Sequence, residues 1–348
     1  KKTALIGLVV GIIGILIQWF SGQLDAKENL GLVFGVYLAG AFIAGLCMCI
    51  LNCVVNPMLN ILGGGGNKGN QLIQLGGVFN STAAVACYIL MGALIADATK
   101  AKIDDATPAL MIALAIFVVA FVVICFTKIE EPEQAPVQVE LIKEAMSYRH
   151  FALGALAIFL YMGIEVGVPN FVHLYLIETG IPAGTVGMLV AVYWFMLLIG
   201  RLVGASIGGK VSSRVMITTV SITTLVLVLF GMFAPTNITV NFPGVDWGKL
   251  ELIWQEVPLG IFAFLLVGLC TSVMWGGIFN MAVEGLGKYT AIASGIFMTM
   301  VFGCAVMMFI QASVADATDY ITSFWVVVFC AAYILFYALI GSRVNKRA

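Results

Sequence analysis

Ten apolar runs constrain this chain more than any other feature, at roughly 3–21, 31–54, 73–97, 107–128, 151–178, 183–209, 214–235, 257–285, 290–314 and 322–342. The hydrocarbon core of a bilayer needs about 20 such residues per helix. The runs therefore predict an all-α polytopic protein with ten transmembrane helices, solvated by the lipid bilayer. Composition agrees: 10% of the residues are charged, against about 25% in a soluble domain. A net charge of -1 points away from nucleic acid as a partner. The eight cysteines all fall inside apolar runs without metal-site spacing, and read as small buried hydrophobes.

Ten spans place both chain ends on one side of the membrane. That side carries Lys1, Lys2, Lys68, Lys128, Lys143, Arg149, Arg201, Lys210, Arg214, Lys288, Arg343, Lys346 and Arg347, whereas Lys27, Lys100, Lys102 and Lys249 lie on the other. The positive-inside rule makes the first side cytoplasmic. Two segments stand apart from the spans. Residues 129–149, with Glu130, Glu131, Pro132, Glu133 and Pro136 followed by an amphipathic stretch at Leu141–Tyr148, read as a cytoplasmic linker. Residues 236–256 read as an outer loop lying at the interface, with Trp247 and Trp254. Its Asn237-Ile-Thr239 triplet fits a glycosylation sequon of low specificity.

The two sides of the linker resemble each other. Asn56-Pro-Met-Leu-Asn-Ile-Leu-Gly63 compares with Asn280-Met-Ala-Val-Glu-Gly-Leu-Gly287. Each is followed by a span that opens on Gly77-Val-Phe79 or Gly295-Ile-Phe297 and closes on Ala96-Asp-Ala-Thr99 or Ala315-Asp-Ala-Thr318. The four spans of 1–128 thus correspond to the last four, and the spans of 151–209 have no counterpart. The expectation is a six-plus-six plan from which this chain lacks two N-terminal helices: half 1–128, linker 129–150, half 151–348. Parallel halves of six helices are the major facilitator plan, equivalent here to helices 3–12, with substrate held between the halves.

Ionisable groups inside lipid are costly and face a cavity or a partner. Glu165 lies near the middle of its span in Tyr161-Met-Gly-Ile-Glu165-Val-Gly-Val-Pro169. Pro169 lacks an N–H and clashes with the carbonyl four residues back, so Glu165 sits at a kink with a freed backbone acceptor. Tyr161 is one turn away. Glu165 can serve as a proton carrier or a sugar-hydroxyl acceptor, or as a structural carboxyl bonded to a neighbouring helix. Asn52, Asn56 and Asn60 recur every four residues as a polar stripe, and Asn80 sits alone beside Gly76 and Gly77. Asn52, Asn56 and Asn80 can bind hydroxyls, because amides donate and accept, or can join helices. Trp194, Trp275 and Trp325 offer indole faces for sugar C–H surfaces. Gln18 and Gln311 are weaker candidates near outer ends. His173 is expected to bond a backbone group, Arg201 to snorkel toward the cytoplasm or brace its helix end, and Glu284 to serve as a gate or loop ion pair at the inner end. No enzyme constellation, metal pair or cofactor motif is present, so neither cofactor nor metal is expected.

These residues resemble a known family. Asn56-Pro57 followed by Leu-Gly, Phe79-Asn80-Ser81, Gly163-Ile-Glu165-Val, Gly200-Arg201 and Ile278-Phe-Asn-Met-Ala-Val-Glu-Gly-Leu-Gly287 are similar to signatures of the fucose and glucose/galactose proton symporters of the major facilitator superfamily. The resemblance implies proton-coupled uptake of a hexose or deoxyhexose by alternating access in the cell inner membrane, with Asn80 at the sugar site. Together with the reading of the residues themselves, it makes the expected coupling acid Glu165 or an acid outside this sequence, and the expected substrate-binding set Asn80, Asn52, Asn56, Glu165, Tyr161, Trp194 and Trp275, in a protein working as a monomer. The family's acid four residues before Asn-Pro is replaced here by Asn52, which does not titrate, and its other acid lies in the first helix. The competing readings are a ten-helix exporter of the drug/metabolite type, a transporter-like sugar sensor and a membrane-embedded enzyme. The four-to-four correspondence across the linker counts against the first, and the lack of clustered acids or histidines counts against the last.

Overall fold

The computed structural model describes residues 1–24, 29–62, 66–94, 103–129, 140–207, 211–246, 251–286 and 289–344. Its helices follow the apolar runs: α1 Lys2–Gly22, α2 Leu30–Leu62, α3 Gly66–Leu94, α4 Thr107–Phe126, α5 Glu140–Met146, α6 Arg149–Glu178, α7 Ala183–Ile207 and α8 Ser213–Phe233. A β-hairpin, β1 Thr239–Asp246 and β2 Glu251–Pro258, leads into α9 Leu259–Val283, α10 Thr290–Met300, α11 Gly303–Ala317, α12 Tyr320–Ser323 and α13 Trp325–Phe336, with a closing π turn at Tyr337–Gly341. Among the described residues, nine helical stretches are long and apolar enough to cross a membrane, and Gly76–Met91 within α3 is a shorter apolar one. The protein is therefore a multi-pass membrane protein. The short amphipathic stretch of the linker forms α5; residues 130–139 lie outside the described set.

The chain divides into two compact units, one of Lys1–Ile73 and Ala93–Ala135, the other of Gln74–Gly92 and Pro136–Ala348. In the first, α1 and α2 approach until their backbones touch. A side chain on Gly14 would fall within 2.6 Å of the Ala44 amide nitrogen, and one on Gly40 within 2.8 Å of the Gln18 amide. Small residues at crossings are how helices pack where lipid removes the hydrophobic drive. In the second unit α6 is the central post. Phe151, Ile158, Tyr161, Ile164, Val168 and Leu176 along it are fully enclosed, and α7, α9, α11 and α13 all pack against it. Gly303 sets the backbone of α11 directly on the Phe159 carbonyl of α6.

The segment expected as an outer loop contains a regular antiparallel hairpin, pairing Thr239 with Pro258 through to Asp246 with Glu251. Pro243-Gly244 inside β1 reads as a turn in sequence, but a two-stranded ribbon has only edges, where proline is tolerated. Gly244 lies against the Thr185 hydroxyl near the start of α7, and Phe242 packs on Phe262 of α9. Leu252 and Trp254 face away, with Trp254 68% exposed; Trp247 lies outside the described residues. The cysteines form no disulfide among the described residues, and only Cys47, Cys270 and Cys330 are buried, while Cys49, Cys87 and Cys125 lie on exposed helix faces. The expectation of buried cysteines holds for part of the set, because an all-apolar helix offers no polar face to mark its outside.

Candidate functional site

Within the second unit, the Gln74–Gly92 stretch of α3 and helices α6 and α7 bring the informative side chains together in two tiers. The lower tier is built around Glu165, which is buried on α6. Its own backbone carbonyl is the acceptor that Pro169 frees, and Tyr193 of α7 donates its hydroxyl to that carbonyl at 3.0 Å. The same hydroxyl lies 3.2 Å from Thr271 Oγ1 of α9. A missing helical hydrogen bond is thus replaced from a neighbouring helix, as a buried backbone oxygen requires.

The Glu165 carboxylate faces Arg201 of α7, with Nη2 to Oε1 at 3.5 Å. Arg201 Nη1 donates to the Gly77 carbonyl at 2.6 Å and to Ser81 Oγ at 3.1 Å, both on α3. One guanidinium therefore joins α3, α6 and α7. Charge-assisted hydrogen bonds are typically ~2.7–2.9 Å, so Arg201 is anchored to α3 more closely than to the acid. Gly77 is what permits this: a Cβ there would sit 2.9 Å from Nη1. Of the two expectations for Arg201, snorkelling toward the cytoplasm or bracing its helix end, the first is corrected: the guanidinium bonds across to α3 and α6. A buried carboxylate needs a partner, and among the described residues Arg201 is its ion-pair partner. Tyr161 adjoins the carboxyl from one turn below, and Trp275 of α9 packs on Tyr161 with ring centres 6.3 Å apart.

The upper tier lies about 10–12 Å along the same helices, at seven or eight residues and 1.5 Å per residue. Tyr88 of α3 stacks on Trp194 of α7 at 6.2 Å and tilts against His173 of α6 at 6.4 Å. Tyr193 meets Trp194 edge-on at 5.7 Å, linking the tiers. Trp194 Nε1 and His173 Nδ1 are buried without hydrogen-bond partners. The Tyr88 hydroxyl comes near the indole nitrogen but outside hydrogen-bond geometry. His173 was expected to bond a backbone group. Its Nδ1 is instead left without a partner, and its ring lies against Tyr88 of α3.

The other expected residues fall elsewhere. Asn80 is exposed, and its neighbour Ser81 is the α3 residue that faces Arg201. Asn52 is exposed in the first unit, and the side chains of Asn56 and Asn60 lie outside the described set. Trp325 is 50% exposed and packs edge-on against Phe233 at the periphery. Gln311 is buried and bonds Ser323, joining α11 to α12. Glu284 is exposed, and its backbone carbonyl contacts His150 Nε2 at 2.8 Å. No group of three or more metal-ligating side chains occurs among the described residues. The residues that sequence reasoning missed are Ser81, Tyr88 and Tyr193; only the freed Glu165 carbonyl signalled that a donor such as Tyr193 must exist.

The crystal structure of the Escherichia coli fucose:proton symporter, a major facilitator superfamily transporter, matches at TM-score 0.69, covering 99% of this chain and 84% of that one at 19% identity. The fold is that of the major facilitator superfamily. In sequence, this facilitator-fold chain is 28% identical over 354 residues to the glucose/galactose transporter of Brucella abortus, spanning 99% of the chain and 79% of the relative. It is 19% identical over 373 residues to the L-fucose-proton symporter of Escherichia coli, spanning 99% and 78%. No family profile matches the facilitator-fold chain.

Proposed function

We propose that this protein is a secondary active transporter that takes up a hexose or deoxyhexose together with protons by alternating access. Glu165 is the group that carries the proton. The supporting observation is the pair of buried Glu165 with part-buried Arg201 at 3.5 Å, inside a unit whose other buried side chains are mostly apolar. Proton carriers in membranes are acids with a counter-charge close by. Relatives named for glucose/galactose and for fucose transport support a sugar as cargo, with glucose and galactose the first to test. The charge asymmetry of the loops supports cytoplasmic chain ends in the cell inner membrane. The internal correspondence supports two six-helix halves joined by residues 129–150, the first half represented here by 1–128, in a protein that works as a monomer.

The test is uptake of labelled glucose, galactose and fucose into vesicles carrying the full-length protein, with and without an inward proton gradient. Wild type is expected to accumulate one of these sugars only with the gradient. Glu165→Gln should abolish accumulation and keep sugar exchange. Retained accumulation in Glu165→Gln would return Glu165 to the structural role that its bond to Arg201 also fits. Failure of wild type to move any of the three would move export or sensing ahead.

A further inference from the structure

We infer that the two tiers form one coupled device: the Arg201 clasp holds α3, and with it the Tyr88 ring, over Trp194 Nε1 and His173 Nδ1, two atoms that bind sugar hydroxyls once protonation of Glu165 releases α3. The inference rests on the reading of the chain as a sugar carrier and adds a hydroxyl-binding subsite and the contact that covers it.

The first argument is the unmet hydrogen bonding of the upper tier. A buried polar atom without a partner is disfavoured and calls for an explanation. Here two such atoms, on adjacent helices, lie beside one aromatic ring. The indole N–H is a donor, and imidazole Nδ1 donates or accepts according to its tautomer. A pyranose with neighbouring hydroxyls satisfies both while laying its C–H face on the indole. The Tyr88 hydroxyl, near the indole nitrogen without bonding it, occupies the place that a sugar hydroxyl takes when the ring withdraws.

The second argument is mechanical. Tyr88 and the two acceptors of Arg201 belong to one helix, with Ser81 seven residues from Tyr88. Around Glu165 stand Tyr161 on its own helix, Arg201 and Tyr193 on α7 and Ser81 on α3. Thr271 of α9 is reached through Tyr193, and Cys330 of α13 and Met307 of α11 adjoin Gly163. The Tyr161 hydroxyl bonds the carboxyl and can do so in either protonation state; Arg201 alone carries charge at neutral pH, so its contact is the one that a proton on Glu165 weakens most. With Glu165 neutral, a part-buried guanidinium keeps only the Gly77 carbonyl and Ser81 Oγ. A buried cation without its counter-charge is strongly disfavoured. Arg201 then moves toward water, the bonds to α3 break, and Tyr88 lifts off the subsite.

The experiment is calorimetric binding of galactose, glucose and L-fucose to the full-length protein in lipid nanodiscs, from acidic to alkaline pH. Wild type is expected to bind one of them more tightly as pH falls. Glu165→Gln should bind it with the tight affinity at every pH. Gly77→Ala, which crowds the clasp while keeping both charges, should flatten the pH dependence. Trp194→Phe and His173→Gln should each weaken binding about tenfold, the loss of one hydroxyl contact. The difference in emission between wild type and Trp194→Phe, measured without sugar, should change with pH in wild type and stay constant in the Glu165→Gln background. Wild-type affinity in both upper-tier variants, or an unaltered pH dependence of sugar binding or emission in Glu165→Gln, overturns the device and leaves sugar transport standing. A wild type that neither binds nor transports any of the sugars overturns the carrier reading itself.

Discussion

Pro169 and Tyr193 show how one residue's missing atom is answered by another 28 positions away from the carbonyl concerned. The proline leaves the Glu165 carbonyl without its helical donor, and the Tyr193 hydroxyl supplies one. Removing that hydroxyl should cost about 1–2 kcal/mol, the worth of a buried hydrogen bond with its stranded acceptor. Tyr193→Phe is therefore expected to lower thermal stability in wild type, and to do so less in a Pro169→Ala background, where a backbone N–H returns. A double-mutant cycle measures the difference; equal costs in both backgrounds would sever the two residues. Glu165 and its freed carbonyl are legible in sequence because the proline rule acts over four residues. Arg201 is not, because 36 positions separate it from Glu165 and its place near a helix end suggests water. The orphaned atoms of Trp194 and His173 are illegible for the same reason: their state depends on which ring a third helix sets beside them.

At the scale of elements, apolar length alone recovers the spans, since the hydrocarbon core dictates it. What length does not reveal is where a span breaks. The expected run 290–314 is α10 and α11, interrupted at Val301–Phe302, where Gly303 brings α11 onto the α6 backbone. The hairpin is missed because Pro243-Gly244 imitates a turn and its strands lack clean alternation. The last span opens with the short turn α12, capped by Asp319, whose carboxylate accepts from Thr322 N at 2.8 Å and Thr322 Oγ1 at 2.6 Å. These bonds to the charged form hold the Asp319 pKa below its ordinary 3.8. A depressed carboxylate contributes stability that is present above the unfolded pKa and lost as pH falls through the folded one. Asp319→Ala should thus destabilise by about 1 kcal/mol at neutral pH, and the gap to wild type should close on acidification below the ordinary aspartate value. Thermal melts at the two pH extremes check this, and a gap that persists in acid would remove the cap from the explanation.

For the whole molecule, ten apolar runs and the loop charges suffice to announce a multi-pass helical protein, because lipid leaves a chain few alternatives. The pairing of helices is another matter, decided by small residues such as Gly14, Gly40 and Gly303 that are common throughout so glycine-rich a sequence. A protein sunk this deeply in lipid offers few handholds to a reagent arriving from water. The hairpin is one, outside the cell in the proposed orientation. Because Gly244 rests on Thr185, a binder gripping the Leu252 and Trp254 face takes hold of α7, the helix that carries Arg201 and Trp194. A monovalent antibody fragment against that face should slow uptake when added outside the vesicles, and unaltered uptake with the fragment bound would mean that the hairpin does not travel with α7. The same fragment would serve as a fiducial for electron microscopy, its tilt reporting the angle of a helix otherwise hidden in the bilayer.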